Sequence, residues 1–247
     1  MMKKRVLIAL LAGISFSATA AQTIRFATEA SYPPFEFVDS NNQIQGFDVD
    51  LANALCKEID AKCTFTNQAF DSLIPSLKFR RFDAVMAGMD ITPEREKQVL
   101  FTKAYYDNSA TFIAQKGKMT DVAALKGKRV GVQNGTTHQK YLNDKQTQAT
   151  TVPYDSYQNA ILDLKNGRID AVFGDTAVVN EWLKQNANLA PVGEKVTDKA
   201  YFGTGLGIAL RQDNTELQGK FNAALDKVKA DGTDRKSTRL NSSHPSI

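Results

Sequence analysis

In Asp90-Ile91-Thr92-Pro93-Glu94-Arg95, Pro93 can open a helix and Arg95 then offers a fixed fork of donors to a carboxylate. Taken alone, Arg95 is as readily a solvated arginine beside Glu94 and Glu96. Gly135-Thr136-Thr137-His138-Gln139 fits a capping box, and Gly135 lets the backbone approach a ligand, so amides at this helix start can receive an anion; an ordinary helix cap explains the same residues. Asp175, after the apolar run Ala171-Val172-Phe173, can pair with an ammonium group or cap the helix that follows. Tyr32 and Phe70 fall outside the periodic runs and can stack on a planar cation, a contact worth about 0.5 to 2 kcal/mol, or pack in a core. Joined with Glu29 and Asp90 they make a sharper set, because a guanidinium asks for flat aromatic faces and carboxylate acceptors. If these residues share one cleft, the single positive charge of Arg95 faces the three negative charges of Glu29, Asp90 and Asp175. A zwitterion carrying one extra positive charge suits that balance better than an acidic ligand.

The elements that would carry these residues read as α/β. Residues 23–28 alternate as a strand, and residues 47–59 have helical spacing through Val49, Leu51, Ala52, Leu55 and Ile59, with Asp48 as the N-cap and a further strand at residues 63–65. The most informative pattern is an internal echo: Leu77, Lys78, Arg81, Asp83, Ala84 and Val85 recur as Leu164, Lys165, Arg168, Asp170, Ala171 and Val172, all offset by 87. That period is too long for a solenoid, so it implies two similar lobes, with coincidence between short strand motifs as the alternative. Residues 110–114 and 203–210 read as two extended crossings that would hinge the lobes. The expected division is a first lobe of residues 21–109 plus 203–233 and a second of residues 110–202. Ligands of open α/β sheets bind at the carboxyl ends of strands, where Glu29 to Tyr32, Gly88 to Arg95, Gly135 to Thr137 and Gly174-Asp175 all fall.

Composition excludes several classes. Lys3, Lys4 and Arg5 followed by an apolar run and Ala18-Thr19-Ala20 predict a secretory signal peptide over residues 1–20. The net charge of +4 arises at the two ends; without them the chain is close to neutral, which argues against a nucleic-acid or membrane-surface partner. Cys56 and Cys63, seven positions apart in an exported chain, predict a local disulfide stabilising by roughly 2 kcal/mol, two buried thiols being the alternative. That leaves no cysteine nucleophile, and His138 and His244 are too few for a histidine-based metal site, so neither metal nor cofactor is expected. Residues 234–247 are polar without apolar periodicity and read as a non-native or disordered tail.

Several segments resemble a known family, the polar amino-acid solute-binding proteins of bacterial ABC transporters, above all the arginine and the lysine/arginine/ornithine binders. They are Ala27-Thr28-Glu29-Ala30-Ser31-Tyr32-Pro33-Pro34-Phe35, Gly46-Phe47-Asp48-Val49-Asp50-Leu51, Phe70-Asp71-Ser72-Leu73-Ile74-Pro75, Gly88-Met89-Asp90-Ile91-Thr92, Asn134-Gly135-Thr136-Thr137 and Tyr201-Phe202-Gly203-Thr204-Gly205. The resemblance implies a two-lobed periplasmic-binding-protein fold of type II, with lobes joined by two hinge strands and an amino acid enclosed between them. It implies that Arg95 and the Thr137 amide hold the α-carboxylate and Asp175 the α-ammonium. Tyr32 and Phe70 would sandwich the side chain, Glu29 and Asp90 would read its cationic end, and Ala87 and Gly88 would line the pocket. It further implies a periplasmic monomer that passes L-arginine to the inner-membrane permease subunits of an ABC transporter. A broader lysine/arginine/ornithine binder is the near alternative. A dehydratase-like enzyme on the same scaffold, using Glu29 or Asp90 as acid or base, and a sensor module are the distant ones.

Overall fold

The computed structural model describes residues 22–202 and 204–231. The expected signal peptide at residues 1–20, the tail at 234–247 and Gly203 of the second crossing lie outside them. The chain opens with β1 (Gln22–Thr28), the short strands β2 (Ser31–Tyr32), β3 (Glu36–Val38) and β4 (Ile44–Gln45), and α1 (Phe47–Glu58). It continues through β5 (Ala61–Asn67), a 3-10 turn at Phe70–Ser72, α2 (Leu73–Lys78), β6 (Ala84–Val85), α3 (Pro93–Glu96) and β7 (Leu100–Phe101). A second run comprises β8 (Ala110–Gln115), β9 (Arg129–Gln133), α4 (Thr137–Lys145), β10 (Thr150–Tyr154), α5 (Tyr157–Lys165), β11 (Ala171–Asp175), α6 (Thr176–Gln185), β12 (Leu189–Val196) and α7 (Lys199–Phe202). The chain then returns as β13 (Ala209–Leu210) and α8 (Thr215–Asp231).

Two five-stranded sheets result, ordered β5-β1-β6-β13-β7 and β10-β9-β11-β8-β12. They match in direction as well as order. In each, three parallel strands meet an antiparallel fourth, which pairs with an antiparallel edge strand. The fourth strand is in both cases the segment that has just crossed from the other lobe, so each lobe is closed by a strand delivered from its partner. The 87-residue echo has a structural counterpart. Asp83 accepts from the Arg25 amide and guanidinium, and Asp170 accepts from the Arg129 amide and guanidinium. Each arginine also donates to a carbonyl in the turn before the acid, at Arg80 and Gly167, which are 87 apart and both left-handed, with φ of 58° and 72°.

The crossings are shorter than the sequence suggested. Ala110–Gln115 is a fully fledged interior strand, β8, buried along nearly its whole length and hydrogen-bonded on both sides, because Ala110, Phe112 and Ala114 fill one face and Thr111 and Ile113 the other. The passage between sheets falls just before it, where Tyr106 bridges Leu206, and Leu206 also bridges Asp90. At the returning crossing, Ala209 and Leu210 already belong to the first sheet. Helix α1 buries Phe47, Leu51 and Leu55 along one stripe, but Gly46 caps it and not Asp48, whose carboxylate turns inward. Cys56 at the end of α1 and Cys63 in β5 are joined by a disulfide. Helix α8 lays Leu217, Phe221, Leu225 and Val228 onto the core of the first lobe.

Candidate functional site

The loops at the carboxyl ends of β1, β6, β9 and β11 meet between the sheets. Glu29, Tyr32, Phe70, Ala87, Gly88, Asp90, Arg95, Thr137 and Asp175 all line one narrow cavity there, of about 10 Å³. Glu36, Gln133, Thr136 and His138 line it too. The geometry of each side chain follows from local chemistry.

Thr92 caps α3 by accepting from the Arg95 amide, and Pro93 occupies the first helical position, so the Arg95 side chain leaves the first turn toward the cavity. Arg95 is buried, and its guanidinium donates to the Asp90 carbonyl at 2.9 Å and, across the cleft, to the Gly135 carbonyl at 3.2 Å. It also lies over the Phe70 ring, 5.6 Å from its centre. Burial pulls its pKa below the ordinary value, with Asp90 and Asp175 opposing that. Thr136 caps α4 by accepting from the Gln139 amide, while Gln139 accepts from the Gly135 amide, so the expected capping box closes one residue early. Gly135, with φ of 74°, rests against Asp71 of the first lobe; a Cβ there would sit 3.1 Å from the Asp71 Cβ.

Asp175 precedes α6 but does not cap it with its side chain. Its carboxylate instead takes the Tyr32 hydroxyl at 2.7 Å and an Asn108 amide N–H at 2.6 Å. His138 Nε2 lies 3.1 Å away, at ion-pair distance without the direction of a hydrogen bond. Asp90 accepts from the same Asn108 at 2.8 Å and from the Thr137 hydroxyl at 2.7 Å. Burial, then the charge of Asp175, raises Asp90 to about 6, and Arg95 and His138 oppose the rise. Asp90 therefore shares a partner with Asp175. Glu29 is bonded by Ser31 and Gln133, shares no such partner with Asp90, and is raised by burial. The resemblance groups Asp90 with Glu29 at the cationic end of the ligand; in the structure Asp90 shares Asn108 with Asp175 and also meets Leu206 and the start of α4.

Tyr32 and Phe70 both line the cavity, and Tyr32 has aromatic neighbours of its own. Its ring stacks on Tyr157 at 5.4 Å and meets Trp182 edge-on, so the lobes touch through aromatic side chains, and burial drives its hydroxyl well above the usual phenol range. The Gly88 amide is fixed by the Asp48 carboxylate at 2.9 Å, and at its φ of 52° the missing side chain makes room for the Tyr32 ring. Three cavity-lining residues, and Asn108 that bonds two of the acids, escaped the sequence reading as binding groups. Glu36 was hidden between Phe35 and Phe37, Asn108 and Gln133 carry no motif, and His138 had been weighed only within the capping box and as a metal ligand.

The profile of the bacterial extracellular solute-binding proteins, family 3, matches residues 24–239, and this chain belongs to that family. An Escherichia coli (strain K12) protein, named provisionally as ABC transporter arginine-binding protein 2, is 78% identical over 232 residues, covering 94% of this chain and 96% of that one. ABC transporter arginine-binding protein 1 of the same strain is 65% identical over 235 residues, covering 95% and 97%. The solved structure of a Salmonella typhimurium periplasmic binding protein of high arginine specificity superposes with a TM-score of 0.86 at 55% identity, covering 89% of this chain and 99% of that one. The two-lobed type II periplasmic-binding-protein fold is thus shared with these relatives. No helix among the described residues is long and apolar enough to cross a membrane.

Proposed function

We propose that this chain captures L-arginine in the periplasm and delivers it to the permease subunits of an ABC transporter, as a monomer and without catalysing a reaction. The observation that carries the proposal is a cavity between two lobes that buries one guanidinium, Arg95, among the carboxylates of Glu29, Asp90 and Asp175. An amino acid supplies a carboxylate for the first and an ammonium for the acids, and the acids left over favour a second positive charge. The family and the names of its arginine-binding relatives support the same reading.

In this reading Arg95 and the Thr137 amide at the start of α4 take the α-carboxylate, and Asp175 and Asp90 take the α-ammonium. Tyr32 and Phe70 flank the side chain, Ala87 and Gly88 form the wall, and Glu29 faces the distal cation. The lobes, residues 21–109 with 203–233 and residues 110–202, rotate about the paired Tyr106 and Leu206 crossings. Contacts made only in the shut form, such as Arg95 to Gly135 and Thr137 to Asp90, bias the equilibrium toward closure. Residues 1–20 serve export and are removed.

Titration calorimetry of refolded, ligand-stripped protein with arginine, lysine, ornithine, histidine and glutamine tests this. The expected result is tightest binding of arginine, with a dissociation constant near micromolar or below, about −8 kcal/mol or more favourable. Equal binding of several basic amino acids would replace the arginine assignment by the broader one, and absence of binding would end the transport reading.

A further inference from the structure

One unit of the first lobe departs from its counterpart in the second. The turn from α2 into β6 is built from the same backbone bonds as the turn from α5 into β11. The amides of Phe79, Arg80 and Arg81 donate to the carbonyls of Pro75, Leu77 and Ser76; those of Asn166, Gly167 and Arg168 donate to Leu162, Leu164 and Asp163. Every member stands 87 positions from its equivalent, so the second lobe shows which side chains this turn requires. It carries Asn166 where the first lobe has Phe79, and Asp163 where the first lobe has Ser76.

Both differences open a surface. Phe79 is 81% exposed, the most exposed of the large apolar residues described, and adds little to the core. Asp163 pairs with Arg168 at 3.0 Å. With Ser76 in its place, Arg81 has no carboxylate partner among the described residues, and neither has Lys78, which precedes Phe79; both are exposed. The acids nearby are already engaged, Asp213 by Arg80 and Asp83 by Arg25 and Arg211. A solvated turn gains nothing from such a ring, whereas aromatic and arginine side chains are enriched at the centres of protein interfaces.

The patch adjoins the mouth of the cleft. Pro75, whose carbonyl receives the Phe79 amide, lines an open groove of about 730 Å³ together with Asp71 and Ile74 of the first lobe and Lys140 and Tyr201 of the second. Arg95 and Thr137 line both this groove and the inner cavity, so the one leads to the other. A partner that receives a ligand from the cleft has to sit at this mouth. A second copy of this chain suits the patch less well, since a twofold contact centred on Phe79 would set the unpaired cations of both copies against each other.

We propose that Phe79, flanked by Lys78 and Arg81, is a docking knob for the permease, fitting an apolar socket ringed by carboxylates on its periplasmic face. The inference rests on the proposed delivery of the ligand to permease subunits. Phe79 supplies the buried anchor, and the two cations steer the approach and fix the register.

Arginine uptake by spheroplasts of a strain that carries the permease and lacks its own arginine-binding proteins, with purified protein added back over a range of concentrations, tests this. Phe79→Asn installs the residue that the second lobe already carries in the same turn, so arginine affinity by calorimetry is expected to stay within about twofold of wild type. Half-maximal uptake is expected to need about tenfold to a hundredfold more of the arginine-loaded variant, with the maximal rate unchanged. Phe79→Leu should recover part of that loss. Lys78→Glu with Arg81→Glu should raise the half-maximal concentration as well, most strongly at low salt.

A Phe79→Asn protein that binds arginine and supports uptake at wild-type concentrations overturns the inference and leaves the proposed function standing. A second copy or a lipid surface as the true occupant would appear as altered sedimentation, or altered binding to phosphatidylglycerol vesicles, with uptake unchanged, and overturns the inference too. Wild-type protein that binds no basic amino acid, or binds arginine without supporting uptake, overturns the delivery reading and the inference with it. If Phe79→Asn loses arginine binding, the charge-reversed pair decides alone, and wild-type uptake with that pair overturns the inference.

Discussion

The two ends of the cavity are built differently. Around Asp90, Arg95, Thr137 and Asp175 the polar groups come from both lobes, and the carboxylates already have donors reaching across: Thr137 to Asp90, Tyr32 to Asp175, and Asn108 to both. Around Glu29, Glu36 and Asp48 the acids come from the first lobe alone, and three of their oxygens have no donor among the described residues. Contacts spanning two bodies exist only when the bodies meet, so in the proposed function the first end governs closure. Apart from Gln133 at Glu29, the second end rests on one body and is present whether the cleft is open or shut, so in the same proposal it selects the side chain that enters.

Arg95→Ala gives the strongest test of that division. It removes the fork offered to the ligand carboxylate and the bond to Gly135 that ties the lobes, so arginine affinity is expected to fall by roughly a hundredfold to a thousandfold, about 3 to 4 kcal/mol. Calorimetry reads the affinity, and scattering with saturating arginine should show the variant remaining more extended than wild type. Unaltered affinity would remove Arg95 from the closing end.

The pH dependence of the ligand-free protein separates the ends from the surface. Asp48 and Asp90 are both raised to about 6 from an unfolded value of 3.8. For an acid raised on folding, the native state holds the proton more tightly, so its stabilising contribution is full below about pH 4 and is lost as pH climbs through about 6. Stability without ligand is expected to decline across that window by on the order of 3 kcal/mol. Urea unfolding at about pH 4.5 and 7 measures it, and saturating arginine should flatten the slope by supplying positive charge. A ligand-free protein equally stable at both values would show that these acids are not held neutral.

How much of this was legible beforehand depended on whether a feature is local. The 87-residue echo was legible because a helix end, a left-handed turn and a strand lie within nine residues, and Arg80 and Gly167 occupy the same turn in both lobes. Arg95 and Thr137 were legible because capping chemistry is written in three or four consecutive positions. Glu36 was not: flanked by Phe35 and Phe37 it reads as part of an apolar strand, and only the pairing with Tyr32 reveals which way it points. The one cue was a lone carboxylate between aromatics just after Pro33-Pro34. The allegiance of Asp90 was equally hidden, since Asn108, which joins it to Asp175, is eighteen residues away in a crossing without periodicity.

Removing the disulfide sharpens the comparison from outside the cavity. Cys56 and Cys63 tie α1 to β5 across a short loop, so changing both to Ser is expected to cost about 2 kcal/mol in urea unfolding. Arginine affinity should stay within about twofold, because neither cysteine lines the cavity. A large affinity loss would mean that the position of Asp48 on α1 depends on the bond. Gly135→Ala acts on closure instead. The left-handed backbone and the crowding against Asp71 are expected to cost about 1 to 2 kcal/mol, roughly tenfold in affinity, with little change in the specificity set by the other end.

The smallest effect is expected where the two lobes look most alike. Asp83 receives the Arg25 amide at 3.0 Å and its guanidinium at 2.9 and 3.0 Å, whereas Asp170 receives the Arg129 amide at 2.8 Å and its guanidinium at 3.4 Å. Arg211 also approaches Asp83, at 3.8 Å, and hydrogen bonding to Arg25 leads the effects that hold the Asp83 carboxyl below the usual range against partial burial. Both arginines are about half exposed, so solvent screens the pairs, and each acid's contribution should stay near or below about 1 kcal/mol. Asp83→Asn should nonetheless destabilise more than Asp170→Asn, and the gap should narrow as pH falls below the usual carboxylate range, where Asp83 takes up its proton. Equal losses would mean that the amide contact common to both turns, and not the extra guanidinium geometry of the first lobe, carries what these acids contribute.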